Sequence, residues 1–145
     1  MSKERLYIFD TTLRDGAQTQ GVHFSIYEKT KIAHALDNLG VDYIEGGWPG
    51  ANPSDTEFFQ KGLNLKKSIF TAFGMTKKTG RSAENDPGLA LLINANTPAV
   101  CVVGKSWDYH VKIALGIQNE ENLENIGETT KHFIKNKKEL SLIHI

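Results

Sequence analysis

Two carboxylates, a guanidinium, an amide and a glycine crowd one short stretch near the start of the chain, Asp10-Thr11-Thr12-Leu13-Arg14-Asp15-Gly16-Ala17-Gln18. Asp15 is the type of residue that ligates a hard divalent cation. The adjacent Arg14 can hold an anionic group, or an oxygen on which negative charge develops. Gly16 lets the backbone pass close to a ligand, and Gln18 offers an amide to orient one. The competing reading of the same spacing is a polar surface turn whose Arg and Asp pair with each other or with water. Glu45 stands at the end of a second apolar run, just before Gly46-Gly47. A carboxylate there can move a proton or support a metal ligand; otherwise it is an exposed strand end. Thr76, Lys105 and Asp108 follow two later apolar runs and are weaker candidates. Trp48 and Trp107 can wall a pocket or simply pack.

The remaining reactive side chains form no local constellation. His23, His34, His110, His132 and His144 contain no H-x-H or HExxH pair, so no complete local transition-metal site is expected. Cys101 lies inside an apolar run and reads as a core residue rather than a nucleophile.

These residues need elements to position them, and the pattern alternates between strand and helix, as in a parallel α/β sheet or barrel. Strands are expected at about residues 6–10, 41–45, 68–73 and 99–104. The last of these is an unbroken apolar run that suggests burial on both faces. Ser25 with Glu28 forms a capping box for a helix whose apolar stripe is Ile32, Ala33, Leu36 and Leu39, ended by Gly40. Asn52 with Pro53, or Ser54 with Glu57, starts a short helix through Phe58 and Phe59. Asp86-Pro87 opens another, faced by Leu89, Leu92 and Ile93. Helical patterning returns from Asp108 to Leu115 and again over about residues 119–135, using Leu123, Ile126, Thr130, Phe133 and Ile134. A fifth strand begins near residue 140. Four strand–helix units do not make a closed (β/α)8 barrel, which usually needs about 250 residues, although every polar loop sits after a strand, as on a barrel's catalytic face. A flavodoxin-like sheet is the alternative, but no glycine-rich phosphate loop follows the first strand.

Composition narrows the class. With 39% hydrophobic and 23% charged residues the chain is globular rather than disordered. Lys+Arg and Asp+Glu both number 17, and no basic run interleaves with aromatics, so no nucleic-acid partner is expected. The longest apolar runs are too short for a membrane span, and the amino-terminal residues carry no apolar signal segment. One cysteine excludes an internal disulfide and suits the cytoplasm, which is the expected location.

The opening stretch is similar to the D-x-T-L-R-D-G-x-Q signature of the Claisen-type synthase and lyase superfamily. That superfamily contains isopropylmalate, homocitrate and citramalate synthases and hydroxymethylglutaryl-CoA lyase. Tyr43-Ile44-Glu45-Gly46-Gly47-Trp48-Pro49-Gly50-Ala51-Asn52-Pro53 and Gly104-Lys105-Ser106-Trp107-Asp108 resemble the longer type of (R)-citramalate synthase within it. The resemblance covers about residues 6–136. It implies the amino-terminal half of a TIM (β/α)8 barrel that binds a divalent metal ion (Mg2+, Mn2+ or Zn2+). The implied reaction joins acetyl-CoA, as co-substrate, to pyruvate, giving citramalate and CoA for isoleucine synthesis. On this basis Asp15 is the metal ligand, and Arg14 and Glu45 are catalytic. Arg14, Gln18 and Thr76 contact substrate, and the whole protein is a homodimer.

The departure from the superfamily is also informative. Relatives take two more metal ligands from an H-x-H on strand seven and an important Glu from strand five. Here the strand-five position reads Leu140-Ser141-Leu142-Ile143-His144-Ile145. Residues 1–139 are therefore expected to belong to the barrel, and 140–145 to be a non-family tail from truncation or a frameshift, so His144 is not taken as a ligand. Isolated, such a chain is expected to be inactive. The alternatives are isopropylmalate-synthase-type or lyase-type chemistry on the same barrel, or a non-catalytic half-barrel that serves binding or assembly.

Overall fold

Alternating strands and helices build one parallel sheet, described here for residues 4–144 of a computed structural model. Its five strands follow chain order: β1 (Phe9–Asp10), β2 (Tyr43–Glu45), β3 (Ile69–Met75), β4 (Ala99–Gly104) and β5 (Glu139–His144). The helices are α1 (Ile26–Leu39), α2 (Pro53–Lys61), α3 (Pro87–Asn94), a single turn α4 (Asp108–His110) that runs into a π turn (Val111–Leu115), and α5 (Asn119–Lys135). Every strand pair is parallel, with Asp10 opposite Ile44, Glu45 opposite Thr71, Phe73 opposite Cys101 and Cys101 opposite Ser141.

Period-two alternation splits the strand side chains between two layers. Ile44, Phe70, Ala72, Val100 and Val102 face the helices and join Ala33, Phe58, Phe59, Leu89, Leu92 and Phe133 in the main core. Phe73, Cys101 and Val103 point the other way and pack with Phe9, Trp48, Met75 and Ile143. β4 is buried along its whole length, as its unbroken apolar run predicts.

Helix starts follow local chemistry. Ser25 and Glu28 make both bonds of the capping box. Asn52, rather than Ser54, caps α2, and Asp86 caps α3 by accepting from Gly88 and Leu89 N–H. Two helix faces differ from expectation. Leu39 is exposed, because α1 ends there and its stripe stops with Leu36. On α5, Leu123 and Ile134 face solvent while Asn122, Asn125, Thr129 and Phe133 are buried. The polar members of that buried face bond to loops instead of to apolar neighbours. Asn122 donates to Lys105 O (2.8 Å), Asn125 to Thr79 Oγ1 (2.9 Å), and Thr129 Oγ1 accepts from Lys77 N–H (2.9 Å). β1 is also shorter than expected, since residues 6–8 are exposed and only Ile8 is tied, through Asp42 and Tyr43. β3 runs two residues further than expected, to Met75, and β5 continues past residue 140 in register with β4.

Asp37 at the end of α1 clamps the approach to β3. Its carboxylate accepts from the N–H groups of Lys66 (2.9 Å), Lys67 (2.8 Å) and Ser68 (2.8 Å). Burial pushes this carboxyl up, but those hydrogen bonds outweigh burial and bring it from 3.8 down to about 2. A lowered folded-state value means the stabilisation is complete above about pH 3.8 and is lost as pH falls through about 2. Asp37→Ala should therefore lower stability by about 3 kcal/mol at neutral pH, because buried N–H donors lose their acceptor. The deficit should shrink in urea titrations taken toward pH 2; a deficit of the same size at both pH values would contradict it.

Candidate active site

The turn after β1 is set by its own backbone. Thr11 O accepts from the N–H groups of Arg14 (3.1 Å), Asp15 (2.8 Å) and Gly16 (3.2 Å). Asp10 accepts from Thr12 N–H and Thr12 Oγ1, so its carboxylate is committed within the turn. Leu13 is fully buried and plugs the turn into the core. This puts Arg14 at the strand ends, beside the layer formed by Phe73.

Arg14 organises what surrounds it. Its Nε donates to Glu45 Oε2 (2.6 Å) and its Nη1 to Asp15 Oδ1 (2.8 Å). The guanidinium carbon lies 4.1 Å from the Phe73 ring centroid, within cation–π range. Of the five N–H donors in a guanidinium, two are committed, so the fork retains donors for an anion. The Arg14 side chain is 13% exposed, Asp15 63% and Glu45 0%.

Glu45 is held by few partners. Its Oε1 is buried without a hydrogen-bond partner, and the Cys101 thiol lies alongside. Burial raises the Glu45 pKa, while the hydrogen bond and charge of Arg14 pull it back. Burial, with the nearby Glu45 charge, pushes the Cys101 thiol up to about 12. Cys101 therefore stays protonated and is a core residue, as its position in β4 predicts.

Two cavities flank this centre. One of about 550 Å3 runs from Arg14 and Gln18 past His23 and Lys29 to Asp55. A second, of about 450 Å3, is lined by Thr76, Met75, Lys78, Arg81 and Leu91. Trp48 and Ala51 line both. The structure thus brings Arg14, Asp15 and Glu45 into contact and puts Gln18 on the same cavity as Arg14. Thr76 sits in the adjoining cavity. Lys105 and Asp108 line a separate hollow against α5, and Asp108 accepts from Tyr109 N–H.

Sequence reasoning missed Lys29 and Asp55. Lys29 Nζ, on α1, donates to Gly46 O (3.0 Å) and to Asp55 Oδ1 (2.5 Å), while Asp55 Oδ2 accepts from Trp48 N–H (2.9 Å). The glycine pair is required there. A Cβ on Gly46 would lie 2.4 Å from the Phe70 ring, and one on Gly47, at φ +146°, 2.6 Å from Asp55. A lysine within the first two turns of an amphipathic helix reads as solvated; only the glycine pair hinted that something approaches the backbone.

A family model described as HMGL-like matches residues 5–142. The chain belongs to the HMGL-like family. It is 51% identical over 131 residues to the (R)-citramalate synthase of Aquifex aeolicus, covering 89% of this chain and 25% of that protein. It is 35% identical to 2-isopropylmalate synthase 1 of Caldanaerobacter subterraneus, covering 91% of this chain and 32% of that one. Among solved structures it superposes on a Pseudomonas aeruginosa hydroxymethylglutaryl-CoA lyase with a TM-score of 0.73 at 16% identity, over 97% of this chain and 46% of the other. The fold is accordingly the amino-terminal half of a (β/α)8 barrel. The chain spans about a quarter of the length of the citramalate synthases it matches.

HMGL-like chemistry raises the question of a metal. Among the described residues no three His, Cys, Asp or Glu side chains converge. The donor set fits a divalent cation through one ligand, Asp15, whose exposed carboxylate has only one oxygen taken by Arg14. Among the described residues no helix is long and apolar enough to cross a membrane.

Proposed function

We propose that this chain supplies the amino-terminal half of an acyl-CoA-condensing enzyme that joins acetyl-CoA to pyruvate. The observation that carries the reading is the Arg14 fork, braced by buried Glu45 and with donors to spare, beside the exposed carboxylate of Asp15. The likeness to citramalate synthases supports the choice of substrates. A base takes a proton from the acetyl methyl group, the resulting enolate carbon bonds to the keto carbon of pyruvate, and the keto oxygen becomes an alkoxide that then takes up a proton to give the hydroxyl. Arg14 holds that oxygen, because charge appears there as the bond forms and fixed donors act most strongly on developing charge. Water then cleaves the thioester, releasing citramalate and CoA. Glu45 keeps the guanidinium in place, and Gln18 orients the oxo acid in the shared cavity. A divalent cation, held in part by Asp15, would supply the positive charge that polarises the oxo acid.

The test is a chimaera in which residues of this chain replace the matching stretch of the A. aeolicus relative. CoA release should be fast with pyruvate and slow with 2-oxoisovalerate. Preference for 2-oxoisovalerate would move the reading to isopropylmalate-type chemistry, and thioester cleavage without condensation to a lyase. The chain by itself should show no turnover, since one carboxylate ligand holds a metal weakly. Measurable CoA release by the chain with Mg2+ or Mn2+ would contradict that.

A further inference from the structure

Arg14 satisfies only one oxygen of Glu45. Oε2 accepts from Arg14 Nε (2.6 Å), whereas Oε1 is buried and, among the described residues, no N–H or O–H group meets it. Glu45 lines neither of the two cavities that flank Arg14, so Oε1 has to be met from within the fold.

Strand register limits what can meet it. Glu45 lies opposite Thr71, and Cys101 lies opposite Phe73, the next inward residue of β3. The Thr71 hydroxyl is spent on Ile69 O (3.4 Å). The remaining neighbour is the Cys101 thiol, which reaches Glu45 from β4 and has Ser141 of β5 opposite it on the other side. Cys101 is 1% exposed, and Phe73, Val103 and Ile143 make the layer around it apolar.

A thiol suits that setting. It packs as a small apolar group, and its hydrogen turns about the Cβ–Sγ bond toward an acceptor. Burial and the Glu45 charge push the thiol up to about 12 and so keep the hydrogen on sulfur. Burial raises the Glu45 pKa; Arg14 and then the Cys101 thiol oppose the rise, which favours the carboxylate that grips the guanidinium.

We propose that Cys101 is a positioning residue for Arg14: its thiol donates to Glu45 Oε1 and fixes the carboxylate that aims the guanidinium at the oxo acid. The proposal rests on the condensing-enzyme reading for the identity of that acid. Cys101 touches no substrate, so its loss should act on kcat, through the aim of Arg14, and leave KM alone.

Threonine and valine share nearly one shape and differ by a hydroxyl, so Cys101→Thr and Cys101→Val separate donation from packing. In the chimaera, C101T should keep kcat within about twofold of the parent. C101V should lower kcat about fivefold to tenfold, with KM for pyruvate unchanged. A side chain that merely packs predicts the opposite order, because a hydroxyl without a partner is the costlier group to bury. C101S against C101A repeats the comparison without added bulk. A second readout needs no turnover. Cys101 is the single cysteine of the chain, so its S–H stretching band in the infrared stands alone in the purified chain. Hydrogen bonding lowers that frequency. The band should lie below that of an unbonded thiol and rise in Glu45→Gln, since an amide oxygen accepts more weakly than a carboxylate. A band at the unbonded position, or C101V turning over as fast as C101T, would each overturn the assignment, and turnover of pyruvate by the parent chimaera would then leave the condensing reading intact. A parent chimaera that ignores pyruvate, with a lowered band that rises in Glu45→Gln, would remove the condensing reading and keep the contact.

Discussion

Arg14→Met in the chimaera should lower kcat by about a hundredfold to a thousandfold, the loss typical of removing one preorganised donor from a developing oxyanion. The methionine keeps the apolar contact with Phe73 but not the fork that binds Glu45 and Asp15. Arg14→Lys should fail nearly as badly, because a single ammonium cannot hold both carboxylates and still present donors in a plane. Stability has to be separated from chemistry. Removing Arg14 strands Glu45, which is 0% exposed, and breaking a buried pair from one side costs about 3–5 kcal/mol. Burial already raises the Glu45 pKa, and Arg14 is the largest opposing influence, so in the variant Glu45 should take up a proton at a higher pH. The double variant Arg14→Met, Glu45→Gln removes the stranded charge. It should recover most of the stability while kcat stays low, as read by urea denaturation and steady-state kinetics side by side. Recovery of kcat together with stability would reduce Arg14 to a structural partner.

The fold was legible wherever local chemistry and periodicity agreed. Ser25 with Glu28, Asn52 with Pro53 and Asp86 with Pro87 name their helices, because caps act within one turn. The apolar run of β4 announces a strand buried on both sides. The buried face of α5 was not legible. Asn122, Asn125 and Thr129 look like a solvated stripe, and become interior only because the loops after β3 and β4 bring polar backbone and hydroxyl groups to meet them. The same distinction runs through the site. The contact between Arg14 and Asp15 is local and was foreseen as one of two readings; the bond from Arg14 to Glu45 spans 31 positions and depends on β1 and β2 being neighbours. The separation of Thr76 from Arg14 arises because Trp48 stands between their cavities, a consequence of where a loop turns rather than of residue type.

Lys29→Met is expected to lower stability by about 3–5 kcal/mol, because it breaks a buried ion pair from one side. Lys29 Nζ sits between Gly46 O and Asp55 Oδ1, and its side chain is 4% exposed. Methionine fills similar volume on α1, so the loss measures the missing charge and donors rather than a cavity. The Asp55 carboxylate, 13% exposed, would keep only the bond it accepts from Trp48 N–H. Asp55→Asn in the Lys29→Met background removes the unpaired charge and should restore part of the stability. The coupling energy between the two positions should exceed about 1 kcal/mol in a double-mutant cycle. The effect should also reach the chemistry. Lys29 and Asp55 fix Gly46 and Trp48; Trp48 meets Phe73 edge-on at 5.6 Å, and Phe73 lies against Arg14. Loosening the far end of that chain should lower kcat in the chimaera, although Lys29 makes no bond to Arg14. If the double-mutant cycle shows no coupling, the buried lysine is a passive occupant of the core, and the glycine pair, not the strap, holds Trp48 in place.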